Sequence, residues 1–90
     1  MKWVPTGKTE PPKSRGGTAT TIVFQNKSEQ SVKLYWISYQ GERRFYSELK
    51  SGKNHRQNTY SNAVWLVTDK DDKPLGHFIT GGEEANAIIK

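Results

Sequence analysis

From Ala19 onward the chain is a series of short runs rich in Val, Ile, Thr, Tyr, Phe and Trp, separated by polar clusters containing Gly, Asn, Ser or Asp. No stretch sustains a helical period, so no segment offers the apolar stripe that a helix would bury. β-branched and aromatic residues suit a half-buried pleated surface, and the polar clusters mark its reversals. The pattern predicts an all-β fold, a seven-stranded antiparallel β-sandwich or a small barrel, with strands near 20–26, 31–39, 42–49, 53–59, 63–69, 75–80 and 85–90.

Ninety residues are enough for one domain, and only 32 % of them are apolar, so the core must be thin and its large aromatics must supply much of it. Without cysteine there is no disulfide framework, thiolate metal site or thiol nucleophile. The net charge of +5 divides unevenly. Residues 1–18 carry Lys2, Lys8, Lys13 and Arg15 against Glu10, whereas basic and acidic residues nearly balance over 19–90. The same first segment holds three of the four prolines and the pair Gly16-Gly17, with only Trp3 and Val4 as sizeable apolar groups after Met1. It reads as a flexible basic leader, 1–18, before a binding domain, 19–90. No apolar run is long enough for a signal sequence or a membrane span, which predicts a soluble, cytoplasmic protein with no membrane association.

Five of the ten aromatic residues, Tyr35, Trp36, Tyr39, Phe45 and Tyr46, fall within twelve positions around one turn. A three-residue loop Tyr39-Gln40-Gly41 sets Ser38 opposite Glu42 and Trp36 opposite Arg44, with Tyr46 one diagonal step away on the same face. A two-residue Gln40-Gly41 loop instead sets Trp36 against Phe45 and sends Tyr46 to the other side. At the next tip, Tyr60-Ser61-Asn62 with Asn62 left-handed pairs Thr59 with Ala63 and Gln57 with Trp65. That register displays Thr59, Ala63 and Trp65 together and turns Val64 and Leu66 into the core. Phe24, Tyr35, Phe45 and Phe78 are read as packing or sheet residues.

At these residues the chain resembles the β domain of the von Hippel–Lindau tumour suppressor. The resemblance rests on Ile22-Val23-Phe24-Gln25-Asn26-Lys27-Ser28, Trp36, Tyr39-Gln40-Gly41-Glu42, Tyr46, Leu49, Gly52, Tyr60, Trp65-Leu66 and Asp69, spaced without gaps. Several aromatics at fixed intervals are more specific than any short motif. The resemblance implies a seven-stranded sandwich that recognises an extended peptide containing hydroxyproline. It puts Trp36, Trp65 and Tyr46 around the proline ring, Thr59 where the family has a hydroxyl-binding Ser, and Ala63 where it has a His. The Ala63 side chain cannot hydrogen-bond, so proline-like binding is expected without the family's full preference for the hydroxyl. The family's helical elongin-binding segment has no counterpart before Lys90, so neither elongin nor cullin is expected as a partner.

The chemistry suits such a peptide. Electron-rich Trp and Tyr faces pack against the polarised C–H groups of a pyrrolidine ring, and a proline-bearing segment arrives already stiff. The Tyr46 hydroxyl and the backbone of Asn58 are expected to bond its main chain. The candidate peptide-binding residues are therefore Trp36, Tyr46, Asn58, Thr59 and Trp65. Stacked indoles also describe carbohydrate-binding surfaces, which is the main rival. Arg43-Arg44 with Lys50, Lys53, His55 and Arg56 raise a weaker case for single-stranded nucleic acid, diluted by Glu42, Glu48 and the acidic loop.

Catalysis is not expected, because His55 and His77 belong to different strands and no Ser or Asp stands at a triad or nucleophile-elbow spacing. No cofactor or metal is expected: Asp69, Asp71 and Asp72 lack the glycine and distal glutamate of a calcium hand. Asn26-Lys27-Ser28 matches a glycosylation sequon, but Asn26 reads better as a turn residue.

Overall fold

The computed structural model describes residues 2–5 and 11–90. These form eight strands and no helix: β1 (Lys2–Pro5), β2 (Ala19–Asn26), β3 (Val32–Ile37), β4 (Arg43–Leu49), β5 (Asn54–Tyr60), β6 (Val64–Thr68), β7 (Pro74–Ile79) and β8 (Ala85–Ile89). One sheet has the order β1-β7-β6-β3-β4 and the other β5-β2-β8. Among the described residues no helix is long and apolar enough to cross a membrane.

The all-β sandwich expected from the residue pattern is present, with two differences. The eighth strand comes from the segment expected to be a free leader: Trp3 pairs with Phe78 and Val4 with His77. The other difference is that β8 runs parallel to β2, from Ile22 beside Ala85 to Asn26 beside Ile89, while every other pair is antiparallel. Two strands far apart in sequence can pair either way, and no hairpin turn dictates the direction here. Residues 1 and 6–10 of the expected leader lie outside the described residues.

Strand β6 reads Val-Trp-Leu-Val-Thr and is buried at every position, because it is the centre of the five-stranded sheet and both its faces are covered. Its inward side chains, Trp65 and Val67, join Ile22, Phe24, Leu34, Phe78, Ala87 and Ile89 between the sheets. Val64 and Leu66 pack on the opposite face with Ile37, flanked by Tyr35 and Ile79. This reverses the expected facing of β6, in which Val64 and Leu66 were to enter the main core. Trp3 closes one end of that core, 4.7 Å from Phe78 between ring centroids. A Cβ on Gly76 would stand 2.4 Å from the Trp3 ring, so the indole needs a glycine beneath it.

Asn26 joins the strand ends. Its amide donates to the carbonyls of Gln30 (2.8 Å) and Leu49 (2.9 Å), and its Oδ1 accepts from the Ser28 backbone (3.0 Å) and hydroxyl (2.6 Å). With 1 % of its surface exposed, it is the structural turn residue read from the sequence rather than an accessible sequon. On the outer face of the larger sheet Asp72 accepts from the Tyr35 hydroxyl and pairs with Lys33 at 3.1 Å, and these contacts hold its carboxyl below the usual range. His77 is 2 % exposed, and burial lowers its pKa from 6.5.

Asn26→Ala should destabilise the protein by about 2–4 kcal/mol in urea unfolding, since it strands two carbonyls at the joint between strands. The two shifted acids give separate pH windows. A neutral His77 binds fewer protons folded than unfolded, so stability should be full above pH 6.5 and fall as the pH drops below it. Asp72 should add a second loss beginning near pH 3.8 and continuing downward. Thermal melts across pH should lose the upper step in His77→Gln and the lower one in Asp72→Asn.

Candidate functional site

The β3–β4 hairpin builds one wall. The Ser38 N–H donates to the Glu42 carbonyl at 2.8 Å, the Gly41 N–H donates back to Ser38 at 2.9 Å, and Gly41 has φ +89°. Buried Ser38 completes the loop by accepting from the Gln40 and Glu42 N–H groups at 3.2 and 3.0 Å. This is the three-residue loop, and it sets Trp36 opposite Arg44. Beyond it the ladder slips: Tyr35 pairs with Phe45 but Leu34 with Ser47, leaving Tyr46 as the extra residue of a bulge. The bulge aims the half-exposed Tyr46 ring edge-on at Trp65, with centroids 4.9 Å apart and planes 82° apart.

The Tyr60-Ser61-Asn62 turn builds the other wall. Asn62 is left-handed at φ +70°, as expected, and the Ala63 N–H donates to the Tyr60 carbonyl at 3.1 Å. The strands it joins do not pair, however. β5 lies beside β2 and β6 between β3 and β7, so the turn is a corner between sheets and the expected Gln57–Trp65 pairing does not form. Thr59 instead reaches Trp65 through space, its hydroxyl accepting the indole N–H at 3.1 Å.

Trp65 is 2 % exposed, and Phe24 of the opposite sheet approaches it to 5.6 Å. It is the floor of the hollow rather than an exposed wall. Trp36 lies next to it in the β3–β6 register and is partly buried, with the Tyr39 ring edge-on at 5.3 Å and 87°. All five residues picked from the sequence, Trp36, Tyr46, Asn58, Thr59 and Trp65, line one hollow of about 210 Å³. Ala63 lines it too, as do three residues that sequence reasoning missed: Tyr39, Tyr60 and Arg15. The two tyrosines flank the turns and were open to inference. Arg15 sits in the supposed leader, where no local pattern pointed to it.

The Asn58 carbonyl already accepts from Gln57 Nε2 at 2.8 Å and its side-chain oxygen from Thr21 at 3.4 Å. It nevertheless belongs to β5, an edge strand whose far side has no strand partner among the described residues. Asp69 is a turn residue, its Oδ1 accepting from the N–H groups of Asp71 (2.8 Å) and Lys73 (3.0 Å). Among the described residues no group of three His, Cys, Asp or Glu could hold a metal.

The family model for the VHL beta domain matches residues 13–77, well over half of the chain. The chain belongs to the VHL β-domain family. A comparison with curated proteins finds no match. VHL β domains are recognition domains, and the matched span contains every residue picked for the site. It also begins at Lys13, inside the segment first read as a leader. That agrees with Ser14, which is buried with its hydroxyl accepting the Val64 N–H at 2.7 Å.

The bond between Trp65 and Thr59 gives a direct test. Thr59→Val keeps the shape but strands a buried indole N–H, and should cost about 1–3 kcal/mol in denaturant unfolding. Thr59→Ser should restore most of that loss.

Proposed function

We propose that this chain is a non-catalytic recognition module that binds an extended, proline-bearing segment, seating the pyrrolidine ring over Trp65 between Trp36 and Tyr46. The supporting observation is the meeting of those three rings and the Thr59 hydroxyl in one hollow. Perpendicular rings make a socket, which suits a compact ring better than the flat platform a sugar stacks on. The open side of β5 lies beside the hollow and offers main-chain groups to an extended partner. A non-catalytic role fits the two histidines, which lie in different sheets, with His77 buried.

The polar side of the socket is sparse. Thr59 spends one lone pair on Trp65 and keeps its own proton to donate, while Ala63 contributes nothing polar. A ring hydroxyl therefore finds one protein partner where the family supplies two. The missing partner is worth about 1–3 kcal/mol, or roughly one to two decades of affinity.

Titration with matched proline and hydroxyproline peptides, followed by the indole resonances of Trp36 and Trp65, tests the reading. Both peptides should shift both signals, with similar affinities, and Trp36→Ala should abolish the response while the fold persists. Unmoved indoles at millimolar peptide would refute the peptide site. Ala63→His, checked by melting for an intact fold, should raise the hydroxyproline-to-proline affinity ratio by about tenfold or more.

A further inference from the structure

Resting on that peptide reading, we infer that Arg15 is a specificity-determining residue of the hollow and that it selects ligands carrying a carboxylate next to the proline. Arg15 is the one charged side chain lining the hollow among the described residues. The rest of the lining is aromatic, hydroxyl, amide or methyl. A guanidinium at the rim of such a surface offers a planar fork of five donors, and a carboxylate is the group that matches the fork with two parallel, charge-assisted bonds.

The position of Arg15 is set by the fold. The segment before β2 is laced to the turn that carries Ala63. Ser14 accepts the Val64 N–H at 2.7 Å, the Arg15 N–H donates to the Asn62 carbonyl at 3.2 Å, and Asn62 Nδ2 donates to the Gly16 carbonyl at 3.3 Å. Thr18 and Ser61 then exchange two bonds, at 2.9 and 2.8 Å. The approach is so close that a Cβ on Gly17 would stand 2.2 Å from the Ser61 carbonyl oxygen, so glycine is required there. One guanidinium N–H donates to Asn62 Oδ1 at 3.4 Å, which steers the head group and leaves the other four N–H donors for a ligand. The turn that lacks a polar side chain at Ala63 thus holds in place a strap that presents a cation to the same hollow.

The experiment compares four peptides that differ only around the central ring: Ala-Pro-Ala, Glu-Pro-Ala, Ala-Pro-Glu and Ala-hydroxyproline-Ala. Each is titrated against the unaltered protein, Arg15→Ala and Arg15→Lys, at low and high salt. At least one Glu peptide should bind the unaltered protein about three- to tenfold more tightly than Ala-Pro-Ala, and salt should shrink the advantage. Arg15→Ala should erase that advantage, weakening the Glu peptides more than Ala-Pro-Ala while a cooperative melt shows the fold intact, and Arg15→Lys should keep part of it. Equal binding of the Glu and Ala peptides by the unaltered protein, or a Glu preference that survives Arg15→Ala, would overturn the inference while leaving the proline reading standing. A preference for the hydroxyproline peptide alone, lost in Arg15→Ala, would overturn the carboxylate assignment in favour of the ring hydroxyl. No binding of any peptide would remove both.

Discussion

One indole lies where the two sheets meet, and its single polar atom decides how they meet. Trp65 is the largest fully buried side chain of the protein, touched by Phe24 from the facing sheet and by Tyr46 from the edge of its own. A buried N–H without a partner would cost as much as several well-packed methylenes contribute. Thr59 supplies the partner, and in doing so anchors the end of β5 above the central strand β6. The hollow is the space left beside this contact. Core and candidate site therefore share a residue, and damage to one is felt in the other.

The second constraint is how the ends of the sandwich are tied in a chain with a thin core. Asn26 bonds across to Leu49 and Gln30 at one end. The strap from Ser14 to Thr18 clasps the Tyr60–Asn62 corner near the hollow. Trp3 seals another boundary by lying over Gly76 and against Phe78. The first two use short polar side chains and a glycine where backbones approach closely and add little apolar area, whereas Trp3 contributes an indole face. That is the economy expected of a domain with only 32 % apolar residues.

Much of this was legible in the residues. Alternation and turn residues marked seven of the eight strands and two of the four left-handed positions among the described residues, Gly41 and Asn62. The Trp36–Arg44 pairing follows from a three-residue loop, and the structure decided that length over the two-residue alternative. What failed did so for identifiable reasons. Two-residue periodicity cannot tell which face of β6 looks inward when both are covered, so the roles of Trp65 and of Val64 with Leu66 were exchanged. Loop geometry cannot reveal that consecutive strands belong to different sheets, so the Tyr60–Asn62 corner read as a hairpin. A segment rich in proline and glycine reads as free chain, yet Gly17 is there because only glycine can lie against Ser61.

By itself the sequence determined the all-β class, the turn positions and three of the five aromatics that gather at the hollow, Trp36, Tyr46 and Trp65, since these follow from local conformational preference and fixed spacing. Tertiary structure alone decided that β8 runs parallel to β2, that β1 and the Ser14–Thr18 strap belong to the domain, that Trp65 is a floor, and that Arg15 reaches the hollow. Those outcomes depend on contacts between residues tens of positions apart. Their stability comes from burial and hydrogen bonding across the sheets, which no local pattern encodes.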